Sequence, residues 1–288
     1  MGAKRIALVT DSTSDIPPDL LEQYSIFVQP HVIIWGEQQY RDRVDLQPEE
    51  FYRRLRSEKT IPTTSQASAE DFTAMFQRAI QGGAEAIVVI VVNSKFSGAY
   101  QSASQAAAGA SVPVFVYDSR AVTMGLGWQV LAAARARESG GDAANMLAAA
   151  DSVRQRVQLY IALDTLEYVY RGGRIGNASR LIGALLNIKP LLYVDHQTGV
   201  VEPAGRSMTR RKSIDLLYNN FFAQVGSTDH LHLAVLHGGA AAEAGELLER
   251  VRNDFRPVEL LTNITCPVLG INTGPQALAL CGYSDGSN

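Results

Sequence analysis

Residues 86–104 read Ala-Ile-Val-Val-Ile-Val-Val-Asn-Ser-Lys-Phe-Ser-Gly-Ala-Tyr-Gln-Ser-Ala-Ser, and the fold turns on how they are read. Seven apolar residues, mostly β-branched, run from Ala86 to Val92 and stop at a small polar loop. A helix-forming stretch follows directly. An apolar run this short reads as a strand buried on both faces, as parallel strands of α/β proteins are. In such sheets ligands collect beyond the carboxyl ends of the strands, where loops feed helix N-termini. Unpaired backbone N–H groups and the helix dipole there favour an anion. Asn93 to Gly98 therefore reads as the floor of a carboxylate or phosphate site. The competing reading is a set of ordinary helix caps.

The same alternation extends outward on both sides. Arg5–Val9 reads as a strand, followed by Asp11-Ser12-Thr13-Ser14-Asp15-Ile16-Pro17-Pro18, where Ser14 or Asp15 can cap a helix that opens on proline. Residues 26–35 are extended and apolar. Residues 48–57 are a short helix with Asp45 as a candidate cap, and residues 70–81 are a second helix stopped by Gly82-Gly83. A helix around 100–108, a strand at 114–117, a helix at 123–138 and one ending near Arg156 complete a β-α-β-α pattern. That pattern predicts a doubly wound, mostly parallel sheet. Beyond a strand at 159–163 the rhythm changes. Residues 190–194 and 199–203 form a hairpin around His196-Gln197-Thr198, and strands at 230–236 and 258–263 flank a helix over 240–253. The expectation is α/β with two domains: an N-terminal doubly wound domain over 1–160, and a C-terminal α+β domain with an antiparallel sheet over 161–288.

Composition excludes several classes. A net charge of −3 gives no electrostatic case for nucleic acid. No apolar run reaches the 18 or so residues of a membrane span, and the chain lacks a secretory leader pattern at its start. A soluble, cytoplasmic protein is expected. Cys266 and Cys281 form no C-x-x-C motif and no disulfide framework. His230 and His232 share a strand face at metal-compatible spacing, but no thiol or carboxylate cluster accompanies them in sequence. They read as surface residues, and no metal or cofactor is expected.

Three further segments carry candidate chemistry. Pro62-Thr63-Thr64-Ser65-Gln66-Ala67-Ser68 is a run of hydroxyls in which Ser68 and Asp71 make a capping box. Tyr170-Arg171-Gly172-Gly173-Arg174-Ile175-Gly176 combines conformationally free glycines with arginine forks suited to oxyanions. Leu269-Gly270-Ile271-Asn272-Thr273-Gly274-Pro275 reads as a glycine-punctuated loop, its plain alternative being a turn. The nucleotide-phosphate loop, the dinucleotide fingerprint and the G-x-S-x-G elbow are all missing from the sequence.

Together these segments resemble the DegV family, the bacterial fatty-acid-binding proteins that present acyl chains to a fatty acid kinase. The likeness lies in Thr10–Asp15, in Pro62–Gln66, in Ser94-Lys95-Phe96-Ser97-Gly98-Ala99-Tyr100-Gln101-Ser102-Ala103, and in Gly172–Gly176 with Leu186-Asn187-Ile188-Lys189-Pro190. It runs in order from residue 5 to about 280. The resemblance implies two α/β domains with a long-chain fatty acid buried between them, and no catalysis. It places the ligand carboxylate at Thr64, Ser97 and Gly98, Arg174 and Asn272, and it implies a fatty acid kinase catalytic subunit as a partner.

Two departures stand out. Asn272 occupies the place where the family usually has histidine, and Ser207-Met208-Thr209-Arg210-Arg211-Lys212 puts Met208 where it often has arginine. Arg206 and Arg210 are near enough in sequence to substitute. Lipid binding is thus better supported than kinase partnership. Two other functions compete: a serine hydrolase of acyl esters with Ser97 as nucleophile and His237 as base, and a binder of phosphate or sugar phosphate.

Overall fold

The computed structural model describes residues 5–181 and 188–285. Leu186 and Asn187, part of one family-like segment, lie outside the described residues. In chain order the strands are β1 (Ile6–Asp11), β2 (Ile26–Gln29), β3 (Val32–Trp35), β4 (Gln38–Arg41), β5 (Thr63–Ser65), β6 (Ala86–Val91) and β7 (Val114–Asp118). They continue as β8 (Gln158–Ala162), β9 (Lys189–Val194), β10 (Val201–Ser207), β11 (Leu231–His237), β12 (Glu259–Ile264) and β13 (Leu278–Ser284). The helices are α1 (Pro18–Gln23), α2 (Pro48–Ser57), α3 (Ala69–Gln81), α4 (Ala99–Ala108) and α5 (Met124–Glu138). After them come α6 (Ala143–Arg154), α7 (Glu167–Arg171), α8 (Arg210–Gln224), α9 (Ala241–Phe255) and α10 (Pro267–Thr273).

The chain forms two compact units, one of residues 1–32 and 65–155, the other of residues 33–64 and 156–288. A contiguous split at residue 160 misses this exchange. Its cause is an apolar cluster: Ile33, Trp35, Leu46, Phe51, Tyr52 and Leu55 pack with Cys266, Val268 and Ile271 of the distant C-terminal segment. Trp35 meets Phe51 edge-on, with centroids 5.7 Å apart, a geometry that aligns ring edge with ring face. The extended run 26–35 is accordingly divided between β2 and β3, which belong to different sheets.

The first unit is built on a four-stranded parallel sheet in the order β2-β1-β6-β7. Every residue of β6 is buried, as its unbroken β-branched run requires. A capping box formed by Ser68 and Asp71 starts α3 as expected. The expected cap of α1 is not made: Pro17 precedes it without a side-chain bond, and Asp15 instead accepts from the Thr123 hydroxyl at 2.6 Å. Asp45 likewise leaves α2 uncapped and pairs with Arg41.

The second unit carries a six-stranded sheet in the order β10-β9-β8-β13-β11-β12. It is antiparallel as expected except at one edge, where β11 and β12 run parallel. The helix between those two strands, α9, is long enough to carry the chain back for a parallel crossover. The sequence reading passed over β13, which lies in the middle of this sheet and is buried throughout. The presumed loop at 269–275 is mostly helix: Pro267 opens α10, and the turn comes only at Gly274, with φ of 73°. Among the described residues, no helix is long and apolar enough to cross a membrane.

Candidate functional site

In the first unit the polar loop at the end of β6 is drawn tight by its own backbone. Asn93 is buried, its carbonyl accepts from Phe96 N and Ser97 N, and its side-chain oxygen accepts from Lys95 N at 3.0 Å. Ser94 N and Oγ donate to Asp118, Gly98 N donates to Gln66 Oε1 at 3.1 Å, and Ala99 N donates to Ser97 Oγ at 3.2 Å. The amides from Ser94 to Ala99 therefore already have protein acceptors. The sequence expectation of unpaired amides awaiting an anion is corrected here. What remains is the Ser97 hydroxyl, which accepts one bond and keeps its own hydrogen to donate. A Cβ on Gly98 would stand 2.4 Å from Gln66 Nε2, so a larger residue there would displace the Gln66 side chain that accepts from its amide.

Beneath the loop lies a buried charge. Asp11, at the end of β1, accepts from Thr13 N at 3.0 Å, from the Thr13 hydroxyl at 2.6 Å and from Val92 N at 2.7 Å. His31 Nε2 faces Asp11 Oδ1 at 3.4 Å, and His31 Nδ1 accepts from Ala67 N at 3.1 Å. Burial opposes ionisation of Asp11. The proximity of His31 and the hydrogen bonds from His31, Thr13 and Val92 outweigh it and hold the carboxyl below its usual range.

In the second unit the glycine-arginine segment closes α7. Gly172 ends that helix, and Gly173 turns with φ of 71°. Arg174 is exposed and donates through Nη1 to the Gly172 carbonyl at 2.5 Å. Asn272, on α10, donates through Nδ2 to the Val268 carbonyl, and its Oδ1 sits 2.0 Å from where a Cβ on Gly172 would be. Arg174 and Asn272 thus both touch Gly172, so the structure gathers these two predicted residues at one corner. Thr64 is half-buried in β5, at the edge of the three-stranded sheet β4-β3-β5.

The positions around the missing arginine also resolve. Met208 is 58% exposed. Arg210 does not stand in for it: its guanidinium is held in a fork by Glu243, at 3.0 and 2.7 Å. Arg206 is exposed. His232 is not the surface residue expected: it lies between Glu259 (2.7 Å) and Asp285 (3.0 Å) and stacks on Tyr283. Among the described residues, no cluster of histidine, cysteine or carboxylate side chains is arranged to hold a metal. Cys266 and Cys281 are buried and do not form a disulfide.

Asp11, His31 and Gln66 were not picked out as functional residues. Asp11 and Gln66 lie inside the family-like segments. His31, a lone histidine in the apolar run 26–35, was the available signal for a buried polar pair.

A parallel sheet whose strand-end loop presents a serine, together with a second α/β unit carrying an arginine-asparagine corner, defines a class of two-unit α/β protein with polar strand-end loops. The sequence profile described as "Uncharacterised protein, DegV family" matches residues 5–285, and the chain belongs to that family. A DegV domain-containing protein of Clostridium acetobutylicum is 32% identical, over 96% of this chain and 98% of its own length. Among solved structures, a DegV family protein from Thermus thermophilus described for its fatty acid binding matches with a TM-score of 0.90. It is 33% identical, and the match covers 97% of this chain and 99% of that one. DegV of Bacillus subtilis, described as a fatty acid binding protein, matches with a TM-score of 0.88 and 28% identity, over 97% and 99% of the two chains.

Proposed function

We propose that this protein binds a long-chain fatty acid of the palmitate, stearate or oleate class in the cytoplasm and carries it without altering it. The Ser97 hydroxyl carries the reading on the structural side. It is the loop hydroxyl left to donate at the end of β6 once the amides are taken and Ser94 Oγ is held by Asp118, and a carboxylate is an acceptor that fits it. The likeness to fatty-acid-binding relatives at 33% and 28% identity supports the same ligand class. Thr64, Arg174 and Asn272 complete the proposed set of head-group residues.

Magnitudes divide the labour. Burying about 14 methylenes at ~0.8 kcal/mol each supplies roughly 11 kcal/mol before association costs. A charged hydrogen bond to the head group adds about 1.5–3 kcal/mol. The tail sets affinity, and the polar residues set orientation. With Met208 exposed and Arg210 held by Glu243, presentation to a fatty acid kinase is the less supported part of the family's role.

The test is native mass spectrometry of the purified protein, with palmitate titrated into delipidated parent and into a Thr64→Ala, Ser97→Ala double variant. A co-purifying C16–C18 acid and weakened binding by the variant are expected. Equal affinity in both would remove the head-group assignment. Steady turnover of a p-nitrophenyl ester, abolished by Ser97→Ala, would establish a hydrolase instead.

A further inference from the structure

We propose that Asp11 and His31 are positioning residues for head-group binding, a buried pair that fixes the Ser97 loop against the segment following Thr64. This rests on the fatty-acid reading above and goes beyond it to the residues that align the donor. Hydrogen bonds and one imidazole–carboxylate contact close a circuit. Asp11 Oδ2 holds Val92 N, the last amide before the loop, at 2.7 Å. The Asn93 carbonyl then holds Ser97 N at 3.2 Å. Gly98 N reaches Gln66 Oε1 at 3.1 Å, and the next residue, Ala67, donates its amide to His31 Nδ1 at 3.1 Å. His31 Nε2 returns to Asp11 at 3.4 Å.

The direction of each bond matters. Because Ala67 N donates to Nδ1, the imidazole hydrogen is assigned to Nε2, facing the carboxylate. The ring is oriented from behind as well, since His31 N donates to Ser12 Oγ at 3.2 Å. A buried carboxylate facing an imidazole is a poor way to gain stability, because an apolar core of the same shape commonly serves as well or better. What such a pair supplies is fixed direction, and here both ends of it terminate on the backbone of candidate ligand loops.

The experiment compares palmitate with hexadecanol, which shares the sixteen-carbon chain and lacks the carboxylate, on delipidated full-length protein. The variants are His31→Phe, His31→Gln and Gln66→Ala. His31→Phe is expected to lose about tenfold in palmitate affinity, about 1.4 kcal/mol, while hexadecanol affinity stays within about twofold. His31→Gln, whose amide can both accept and donate, is expected to recover part of the loss. Gln66→Ala is expected to lose less in the same sense, and it remains informative if His31→Phe fails to fold because Gln66 is exposed. Equal losses for both ligands would reduce the pair to a structural role and overturn the proposal, as would unchanged palmitate binding in the variants. A parent that binds neither ligand would instead refute the fatty-acid reading itself, and the positioning role with it.

Discussion

The two polar corners that family likeness marks are built by opposite means. At the end of β6, order comes from bonds: six consecutive amides from Ser94 to Ala99 are held by protein acceptors, over a buried carboxylate. At the end of α7, order comes from missing atoms. Gly172 leaves room for Asn272, and Gly274 turns with φ of 73° where a Cβ would stand 2.3 Å from the Tyr168 ring. The first corner resists loss of its buried carboxylate poorly, because the amides of Thr13 and Val92, once abandoned, cannot reach water. The second resists addition poorly, because close-packed backbone and rings have no room to give.

The largest effect should follow removal of the charge under the first corner. Asp11→Ala strands the amides of Thr13 and Val92 beside His31 and should cost about 3–5 kcal/mol in denaturant unfolding. A loss under about 1 kcal/mol would mean that the corner does not depend on its bonds. Acid should reveal the same group. A carboxyl whose folded value is depressed contributes stability that is fully present above the unfolded value, near 3.8, and is lost as pH falls through the lower folded value. The parent should therefore lose stability below about pH 3.8 more steeply than Asp11→Asn, as thermal melts at stepped pH would record.

Next in size comes the opposite intervention. Gly274→Ala places a side chain at positive φ and against a ring, and about 2–3 kcal/mol of stability should be lost. An unchanged melting temperature would remove the steric account of the second corner. Ligand binding then compares the two corners directly. Ser97→Ala should weaken palmitate by about 1–3 kcal/mol. Arg174→Gln should weaken it too, and more at low salt than at high, because Arg174 is exposed and its charge is screened. A salt-independent Arg174 effect would contradict that distinction.

The smallest expected effect belongs to Asn272. Its amide is neutral and already donates to Val268, so palmitate affinity should vary little between pH 6 and 8. Asn272→His should introduce a pH dependence there. Equal pH profiles for parent and variant would place position 272 away from the head group.

Where the fold was legible in the sequence, one period dominated. The run 86–92 and the alternation around it yielded the parallel sheet, because strands buried on both faces leave an uninterrupted apolar signature. The second unit was read less completely. Residues 278–284 mix Gly282, Cys281 and Ser284 into a central strand, so their burial does not appear as a run of β-branched residues. Gly282 is there for closeness, a Cβ standing only 2.4 Å from the His232 carbonyl. The parallel edge pair and the Asp11–His31 contact depend on partners distant in sequence, which no local pattern encodes. Ser97, Gly98 and Arg174 are singled out in the sequence as candidates because small or forked residues after a strand or helix are themselves the signal.

The exchange of residues 33–64 into the second unit has a consequence for how the chain is made. Trp35 and Phe51 leave the ribosome early, but Cys266, Val268 and Ile271, which cover them, follow about two hundred residues later. At about 5–20 residues per second, that delay is on the order of 10–40 s. For that interval the nascent chain carries an aromatic cluster without its lid, a surface that chaperones bind and that aggregation exploits. Strand β1 and its neighbours can pair long before, so the two units mature on different clocks, and the second one waits on residues 266–271.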